Sequence, residues 1–127
     1  MQGGACSEVV AIASRDEGRA RTTAAQLGIP TAHGSYEALI NDPDVDAIYN
    51  PLPTHLHLPW TRAAAEAGKH VLCEKPIGLS AAEARDLLAI RDRTGVTIQE
   101  AFMVWTHPQW ERAAELCRSG HLGAVQA

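Results

Sequence analysis

The 127-residue sequence has few aromatic residues, few cysteines and no long apolar run. Aromatic residues make up only 5% of it, too few to indicate a surface that stacks nucleic-acid bases. The 11 Lys and Arg residues are scattered among 15 Asp and Glu, and the formal charge of −4 argues against a nucleic-acid partner. No apolar run reaches the ~18 residues of a membrane helix, and residues 1–10 lack the layout of a signal peptide. Three widely spaced cysteines are typical of reduced thiols, so the sequence predicts a cytoplasmic protein without a membrane partner.

The sequence has an ordinary globular composition, with 46% hydrophobic and 20% charged residues, and the length of one domain. Patterns typical of strands and helices alternate along it. The predicted strands are 8–13, 45–50, 69–74 and 96–102, with a short extended piece at 29–34. The predicted helices are 16–27, a short one capped by Ser35, 57–67, one between a capping box at Ser80 and Gly95, and 107–119.

The spacing of the strands predicts the fold class. The last three strands begin about 25 residues apart, the span of a strand and a crossover helix in a parallel sheet. Several strands are apolar throughout, as expected where both faces of a sheet are covered. The sequence therefore predicts an α/β domain of three layers with a parallel sheet, and a mixed α+β domain is the alternative.

Polar residues follow the predicted strands. In a parallel sheet all carboxyl ends point to one edge, where ligands bind, so these residues should gather there. The segments are Ser14-Arg15-Asp16, Asn50-Pro51-Leu52-Pro53-Thr54, Glu74-Lys75-Pro76 and Glu100-Ala101-Phe102. A lysine at such a strand end can pass a proton or donate a hydrogen bond to a developing alkoxide. The alternative for Lys75 is a surface lysine paired with its neighbour Glu74.

Three motifs carry a resemblance to a known family. NPLPTHLH (50–57), AGKHVLCEKP (67–76) and QEAFM with HPQ (99–103 and 107–109) together resemble the Gfo/Idh/MocA oxidoreductases. The resemblance extends from Val9 to Gly123 and is strongest for the branch of sugar dehydrogenases and dimeric dihydrodiol dehydrogenases. It implies a Rossmann domain that binds NAD or NADP. It also implies hydride transfer between nicotinamide and a hydroxyl-bearing carbon of a sugar, polyol or dihydrodiol, in proteins that are usually homo-oligomers.

The resemblance also implies roles for single residues. Lys75 would be the catalytic lysine and would contact the cofactor as well. Glu74 would contact the nicotinamide ribose. The remaining residues implied to line the cofactor are Asn50, Leu52, Pro53, Thr54, His57, Pro76, Glu100 and Ala101.

Ser14 and Arg15 bear on the choice between NAD and NADP. They stand where the family usually carries an acid that binds the adenosine ribose of NAD. An arginine can pair with the 2′-phosphate of NADP, so the sequence favours NADP. Asp16, one position later, is an acid that could bind the ribose of NAD instead, so NAD remains an alternative.

The histidines and the buried-looking cysteine indicate no further chemistry. His55, His57 and His107 have no acid or cysteine cluster near them in sequence, so we expect no metal site. Cys73 is predicted to be a small core residue, and Trp60 and Trp110 are predicted to pack.

The chain also departs from the family pattern. It contains no G-x-G-x-x-G or G-x-G-x-x-A, the loop that holds the cofactor diphosphate. We expect that the chain begins at an internal methionine, that residues 1–122 are a partial dinucleotide-binding domain, and that 123–127 begin a missing substrate domain. The missing first strand would be central, so strands 8–13 and 45–50 should face a gap about one strand wide, ~4.8 Å plus side chains. Trp105 replaces an arginine that the family often carries, which puts one ligand contact in doubt.

Three functions remain. The first is the nucleotide-binding part of an NAD(P)-dependent sugar or polyol dehydrogenase, with the chain alone inactive. The second is a non-catalytic fragment or binding module. The third, a flavodoxin-like or receiver domain, lacks its usual acidic pocket and leaves Glu74-Lys75-Pro76 unexplained.

Overall fold

A computed structural model describes residues 6–124, and Trp105 by its backbone alone. Helices and strands alternate throughout, which confirms the predicted α/β class. The strands are β1 (Ala11–Ala13), β2 (Thr31–His33), β3 (Ala47–Asn50), β4 (His70–Glu74) and β5 (Ile98–Ala101). The helices are α1 (Glu17–Leu27), α2 (Tyr36–Ile40), α3 (His57–Glu66), α4 (Ala81–Thr94) and α5 (Pro108–Arg118), with 3₁₀ turns at Thr54–Leu56 and Met103–Trp105. Residues 1–5 and 125–127 lie outside the described residues. The start of the predicted partial domain (1–122) and most of the predicted second segment (123–127) are among them.

Local sequence sets the helix boundaries, and the caps predicted at Ser35 and Ser80 are present. Side-chain oxygens at three N-caps accept a backbone N–H of the first turn, which satisfies donors that the helix itself cannot pair. These bonds are Asp16 to Arg19 N (2.9 Å), Ser35 to Ala38 N (3.1 Å) and Ser80 to Glu83 N (3.2 Å). Gly28 and Gly95 end α1 and α4 with φ of 67° and 74°, a left-handed backbone that favours glycine.

The strands form two parallel sheets rather than one. One sheet contains β1 and β2, and the other has the order β3-β4-β5. No strand of residues 6–124 joins β1 to β3, so the expected gap is present. The predicted strand 8–13 is shorter than expected, because only Ala11–Ala13 pair in regular register with β2.

The backbone pairing shows which groups face the gap. Val10 O and Ser14 N bond to β2, so the alternation of a parallel ladder turns Ala11 and Ala13 to the other edge. Asp46 O likewise accepts from His70 N at the start of β4, which turns Ala47 and Tyr49 away from β4. Both free edges border one cleft of about 1160 Å³.

The core is concentrated around α3 and the three-stranded sheet. One buried cluster contains Ile40, Ala64, Val71 and Cys73, and the other contains Ala65, Leu87, Ile90 and Val96. Cys73 is fully buried, as predicted. Trp60 packs edge-on against Tyr36, with ring centroids 4.9 Å apart, which confirms its packing role. Trp110 was expected to pack, but it is 50% exposed because α5 buries none of its residues.

The described helices are all short or polar. None of those between residues 6 and 124 is long and apolar enough to cross a membrane.

Candidate functional site

The carboxyl ends of β3, β4 and β5 lie side by side. The register pairs Asn50 with Cys73, Cys73 with Glu100, and Glu74 with Ala101. The structure therefore brings together the predicted residues of these three strand ends. The end of β1, with Ser14 and Arg15, lies across the cleft from β3.

Asn50 holds the loop that follows β3. Its side chain is buried, and Nδ2 donates to His57 O (3.4 Å) and to Thr61 Oγ1 (3.2 Å) at the start of α3. Its Oδ1 accepts from Leu52 N at 3.2 Å. The amide thus fixes the Pro51–Pro53 loop against α3, and its polar groups are engaged within the protein.

His57 joins that loop to the turn after β4. The ring is only 1% exposed, with Nε2 2.6 Å from Leu52 O and Nδ1 2.7 Å from Pro76 O. Both nitrogens therefore contact backbone carbonyls. A direct contact between His57 and a cofactor stays a prediction.

Glu74 is ionised and oriented by its neighbours. Its Oε1 accepts from the Tyr49 hydroxyl (2.7 Å), and its Oε2 accepts from Lys75 N (3.2 Å). The Tyr49 bond, followed by the Lys75 N–H, lowers the pKa of this carboxyl from its ordinary value. The same bond to Glu74 raises the pKa of Tyr49. Sequence reasoning missed Tyr49, although the strand register was a usable signal: Tyr49 pairs with Leu72, and Glu74 is the next residue on that face.

Lys75 is the free cation of this edge. It is exposed, and within residues 6–124 no oxygen accepts a hydrogen bond or forms an ion pair with its ammonium group. The Glu74 carboxylate binds the Tyr49 hydroxyl and the Lys75 backbone N–H instead, so the two neighbours do not form a contact ion pair. The Lys75 ammonium is therefore available to a ligand.

The turn after Lys75 is held by β5. The Lys75–Pro76 peptide bond is cis, and Ile77 N donates to Glu100 Oε1 at 2.8 Å. Glu100 thus contributes a structural bond to the turn that carries Lys75. Its predicted contact with a cofactor stays a prediction.

The other predicted residues of this edge have less specific surroundings. Pro53 and Pro76 are exposed, and Leu52, Thr54 and Ala101 are partly buried. Thr54 opens the 3₁₀ turn before α3. The proximity of these five residues to a bound ligand is untested.

Two arginines border the cleft beside β1. Arg15 and Arg19 both line it, and neither guanidinium has an acidic partner among the described residues. Sequence reasoning missed Arg19, although its position was informative. It lies in the first turn of α1, where the helix dipole disfavours a cation, and an anion bound there would offset that effect. The neighbouring Asp16 caps α1 through Oδ1.

The histidines do not form a metal centre in the part of the chain that the structure describes. Within residues 6–124, no three His, Cys, Asp or Glu side chains are placed to hold a metal ion. Both ring nitrogens of His57 contact carbonyls, and His107 Nδ1 accepts from Gln109 N.

Parallel strands whose carboxyl-terminal loops carry the polar groups define a nucleotide-binding domain of the Rossmann type. Comparison with known proteins agrees. Residues 1–102 match the GFO_IDH_MocA model, described as an oxidoreductase family with an NAD-binding Rossmann fold. The chain belongs to this family, which confirms the resemblance read from its motifs.

Individual relatives are consistent with that assignment. The chain is 58% identical over 118 residues to D-xylose 1-dehydrogenase (NADP(+)) 2 of Haloferax volcanii, covering 93% of this chain and 36% of the relative. It is 40% identical over 119 residues to trans-1,2-dihydrobenzene-1,2-diol dehydrogenase of Mus musculus, covering 94% and 36%. The crystal structure of KijD10, a 3-ketoreductase from Actinomadura kijaniata in complex with TDP-benzene and NADP, has a TM-score of 0.85 and 39% identity, covering 93% and 37%. The chain thus spans about a third of the length of these proteins.

Proposed function

We propose that this chain is the nucleotide-binding part of an NADP-dependent oxidoreductase acting on a hydroxyl-bearing or keto carbon of a sugar, polyol or dihydrodiol. The observation that carries the proposal is the exposed ammonium of Lys75, which has no partner within residues 6–124 and lies on a turn held by Glu100 beside an ionised Glu74. The names of the relatives support the substrate class, since they include a xylose dehydrogenase and a dihydrodiol dehydrogenase.

In this proposal Lys75 acts on the reacting oxygen. The bound nicotinamide would supply or accept the hydride. The Lys75 ammonium would donate a hydrogen bond to the substrate oxygen and stabilise its negative charge, and it would pass a proton to or from that oxygen. Glu74, ionised and fixed by Tyr49, would accept a hydrogen bond from the nicotinamide ribose.

The arginines beside β1 support NADP rather than NAD. Arg15 and Arg19 offer two guanidinium groups that have no acidic partner among the described residues. Guanidinium forms paired hydrogen bonds with phosphate oxygens. Ser14 Oγ, which accepts from Asp16 N at 3.2 Å, has a hydroxyl hydrogen left to donate. Asp16, which would favour NAD, uses Oδ1 to cap α1. We therefore assign the 2′-phosphate of NADP to Ser14, Arg15 and Arg19.

The alternative is a fragment or binding module with no turnover of its own. It is favoured by one observation, the absence of a glycine-rich diphosphate loop from the 127 residues. On either proposal we expect the chain alone to bind the dinucleotide weakly and to catalyse no hydride transfer.

A titration with NADPH and NADH, followed by nicotinamide fluorescence, tests the proposal. We expect saturable binding of NADPH that is tighter than binding of NADH. Arg15→Ala should weaken NADPH binding, and Lys75→Ala should largely spare it. Arg62→Ala is the matched control, because Arg62 is exposed and lies 3.6 Å from Asp86, away from the cleft. A folded sample that binds neither nucleotide, or equal effects of Arg15→Ala and Arg62→Ala, would contradict the proposed NADP site.

A further inference from the structure

The two contacts of the His57 ring impose a condition on its protons. Carbonyl oxygens only accept hydrogen bonds, and a neutral imidazole carries one N–H. At 2.6 Å from Leu52 O and 2.7 Å from Pro76 O, a neutral ring would place one nitrogen lone pair against a carbonyl oxygen. The ring is 1% exposed, so water has little access to the unpaired groups, and leaving them unpaired is costly. Only the ring with a proton on both nitrogens satisfies both carbonyls.

We propose that His57 is a doubly protonated positioning residue that ties the loop carrying Leu52 to the turn carrying Lys75. The role of this bridge in catalysis rests on the function proposed above. One N–H donates to Leu52 O in the loop after β3, and the other donates to Pro76 O, directly after Lys75. The bridge fixes the distance between a loop that would line the cofactor and the lysine that would act on the substrate.

The ring is held in place from its own backbone. His57 O accepts from Asn50 Nδ2 at 3.4 Å, and the same amide accepts from Leu52 N through Oδ1. Asn50 therefore binds the N–H of Leu52, and the His57 ring binds its carbonyl. A change in the ring protons would act on Leu52 O and Pro76 O rather than on the packing of α3.

The neighbouring strand ends supply the charges that face this bridge. On β4 and the following turn these are Glu74 and the exposed Lys75, and on β5 the charged group is Glu100. Attraction to a His57 charge contributes to the low pKa of Glu74, after its bonds to Tyr49 and Lys75 N. Burial raises the pKa of the Cys73 thiol, so that group stays neutral and adds no charge. Asn50 at the end of β3 and Thr61 in α3 are uncharged.

The first test needs no nucleotide. Two-bond ¹H–¹⁵N spectra of the ¹⁵N-labelled chain distinguish protonated from unprotonated ring nitrogens, and the loss of one signal set in His57→Gln assigns the residue. We expect both nitrogens of His57 to show the shift of a protonated nitrogen at neutral pH. An unprotonated shift for either nitrogen in the folded chain would overturn the proposal.

The second test separates the two halves of the bridge. The Asn side-chain nitrogen lies near the position of Nδ1, and the Gln nitrogen lies near that of Nε2. His57→Asn should therefore keep the bond to Pro76 O and lose the bond to Leu52 O, and His57→Gln should do the reverse. The reporters are the amide hydrogens of Leu52 and Ile77, which bond to Asn50 and Glu100.

We expect His57→Asn to speed hydrogen exchange about tenfold at Leu52 and leave Ile77 nearly unchanged, and His57→Gln to show the opposite pattern. His55→Asn and His55→Gln are the controls, because His55 is exposed two residues away. Equal acceleration of both amides by both variants would mean that the ring only fills space, and that result would overturn the bridge. Failure to bind NADPH would count against the proposed function alone, since neither test depends on it.

Discussion

The two halves of the molecule are built differently at the edge where a ligand would bind. After β3, β4 and β5, the loops are joined by side chains: Asn50 and His57 hold one loop, and Glu100 holds the next turn. After β1, Arg15 and Arg19 have no acidic partner within residues 6–124, and in that part of the chain β1 pairs with β2 alone. The edge after β3, β4 and β5, which we propose as the nicotinamide side, is thus arranged before any ligand binds. The edge after β1, which we propose as the adenosine side, offers charge and an open cleft.

Besides the packing of Ile40 and Tyr36 against the α3 side, one turn joins the two halves by hydrogen bonds. Asp42, between α2 and β3, accepts from His33 of β2 at 2.8 Å through Oδ2, and its carbonyl accepts from Lys69 Nζ before β4 at 2.7 Å. This turn therefore links the two-stranded sheet to the three-stranded one. Substitutions of single side chains in each half and in this turn test the contrast between the halves.

The largest effect is expected in the core of the three-stranded half. Leu87 is 2% exposed between α3, α4 and β5, so Leu87→Ala should lower the free energy of unfolding by about 2–4 kcal/mol through lost burial and a new cavity. Leu88→Ala is the control, because that neighbour is 49% exposed and should change it by less than about 0.5 kcal/mol. Urea unfolding followed by circular dichroism measures both. Equal losses would mean that the stability does not reside in this cluster.

A smaller effect on the free energy of unfolding should distinguish Lys69 from Lys75. Lys69 donates to a backbone carbonyl in a partly buried position, so Lys69→Ala should lower the free energy of unfolding by about 1–2 kcal/mol. Lys75→Ala removes an ammonium that has no partner within residues 6–124, so it should change stability by less than about 0.5 kcal/mol. On the function proposed above, it should also abolish hydride transfer in an assembled enzyme that contains this chain. A stability loss in Lys75→Ala as large as that in Lys69→Ala would show that Lys75 has a structural role instead.

The sequence predicted the elements well because their boundaries depend on local chemistry. The caps at Asp16, Ser35 and Ser80 and the glycines after α1 and α4 are all encoded within a few residues. The bonds at the site are different. His57 reaches Pro76 across 19 residues, and Tyr49 reaches Glu74 across 25. Such pairs depend on strand register and loop geometry, which residue types alone do not fix.

The same distinction explains the prediction for Trp110. Its helix follows a regular pattern with a proline at its start, so α5 was predicted correctly. Whether its apolar residues are covered depends on tertiary packing, and α5 buries none of them.

The connection through Asp42 should be sensitive to acid. The Asp44 N–H, and then the bond from His33, lower the pKa of Asp42 from its ordinary value of 3.8. A carboxyl with a lower pKa in the folded chain adds stability above pH 3.8, and that stability is lost as the pH falls through the folded value. Asp42→Asn should therefore flatten the acid end of the stability profile in urea unfolding from pH 2 to 6. Asp92→Asn is the control, because Asp92 is exposed and pairs with the adjacent Arg91. Identical acid profiles for the two variants would mean that the Asp42 carboxylate does not stabilise the link between the two sheets.

The smallest effect concerns the orientation of Glu74. The Tyr49 hydroxyl is the largest cause of the low pKa of Glu74, so Tyr49→Phe should raise that pKa toward 4.5, as measured by NMR titration of the Glu74 side-chain carbonyl. Tyr36→Phe is the matched control, since Tyr36 contacts Trp60 through its ring. If Tyr49→Phe left the Glu74 titration unchanged, the Lys75 N–H would suffice to ionise the carboxylate, and Tyr49 would have no part in arranging the nicotinamide side. A shift of the Glu74 pKa in Tyr49→Phe but not in Tyr36→Phe would show that a bond between strands β3 and β4, and not the loops alone, orients Glu74.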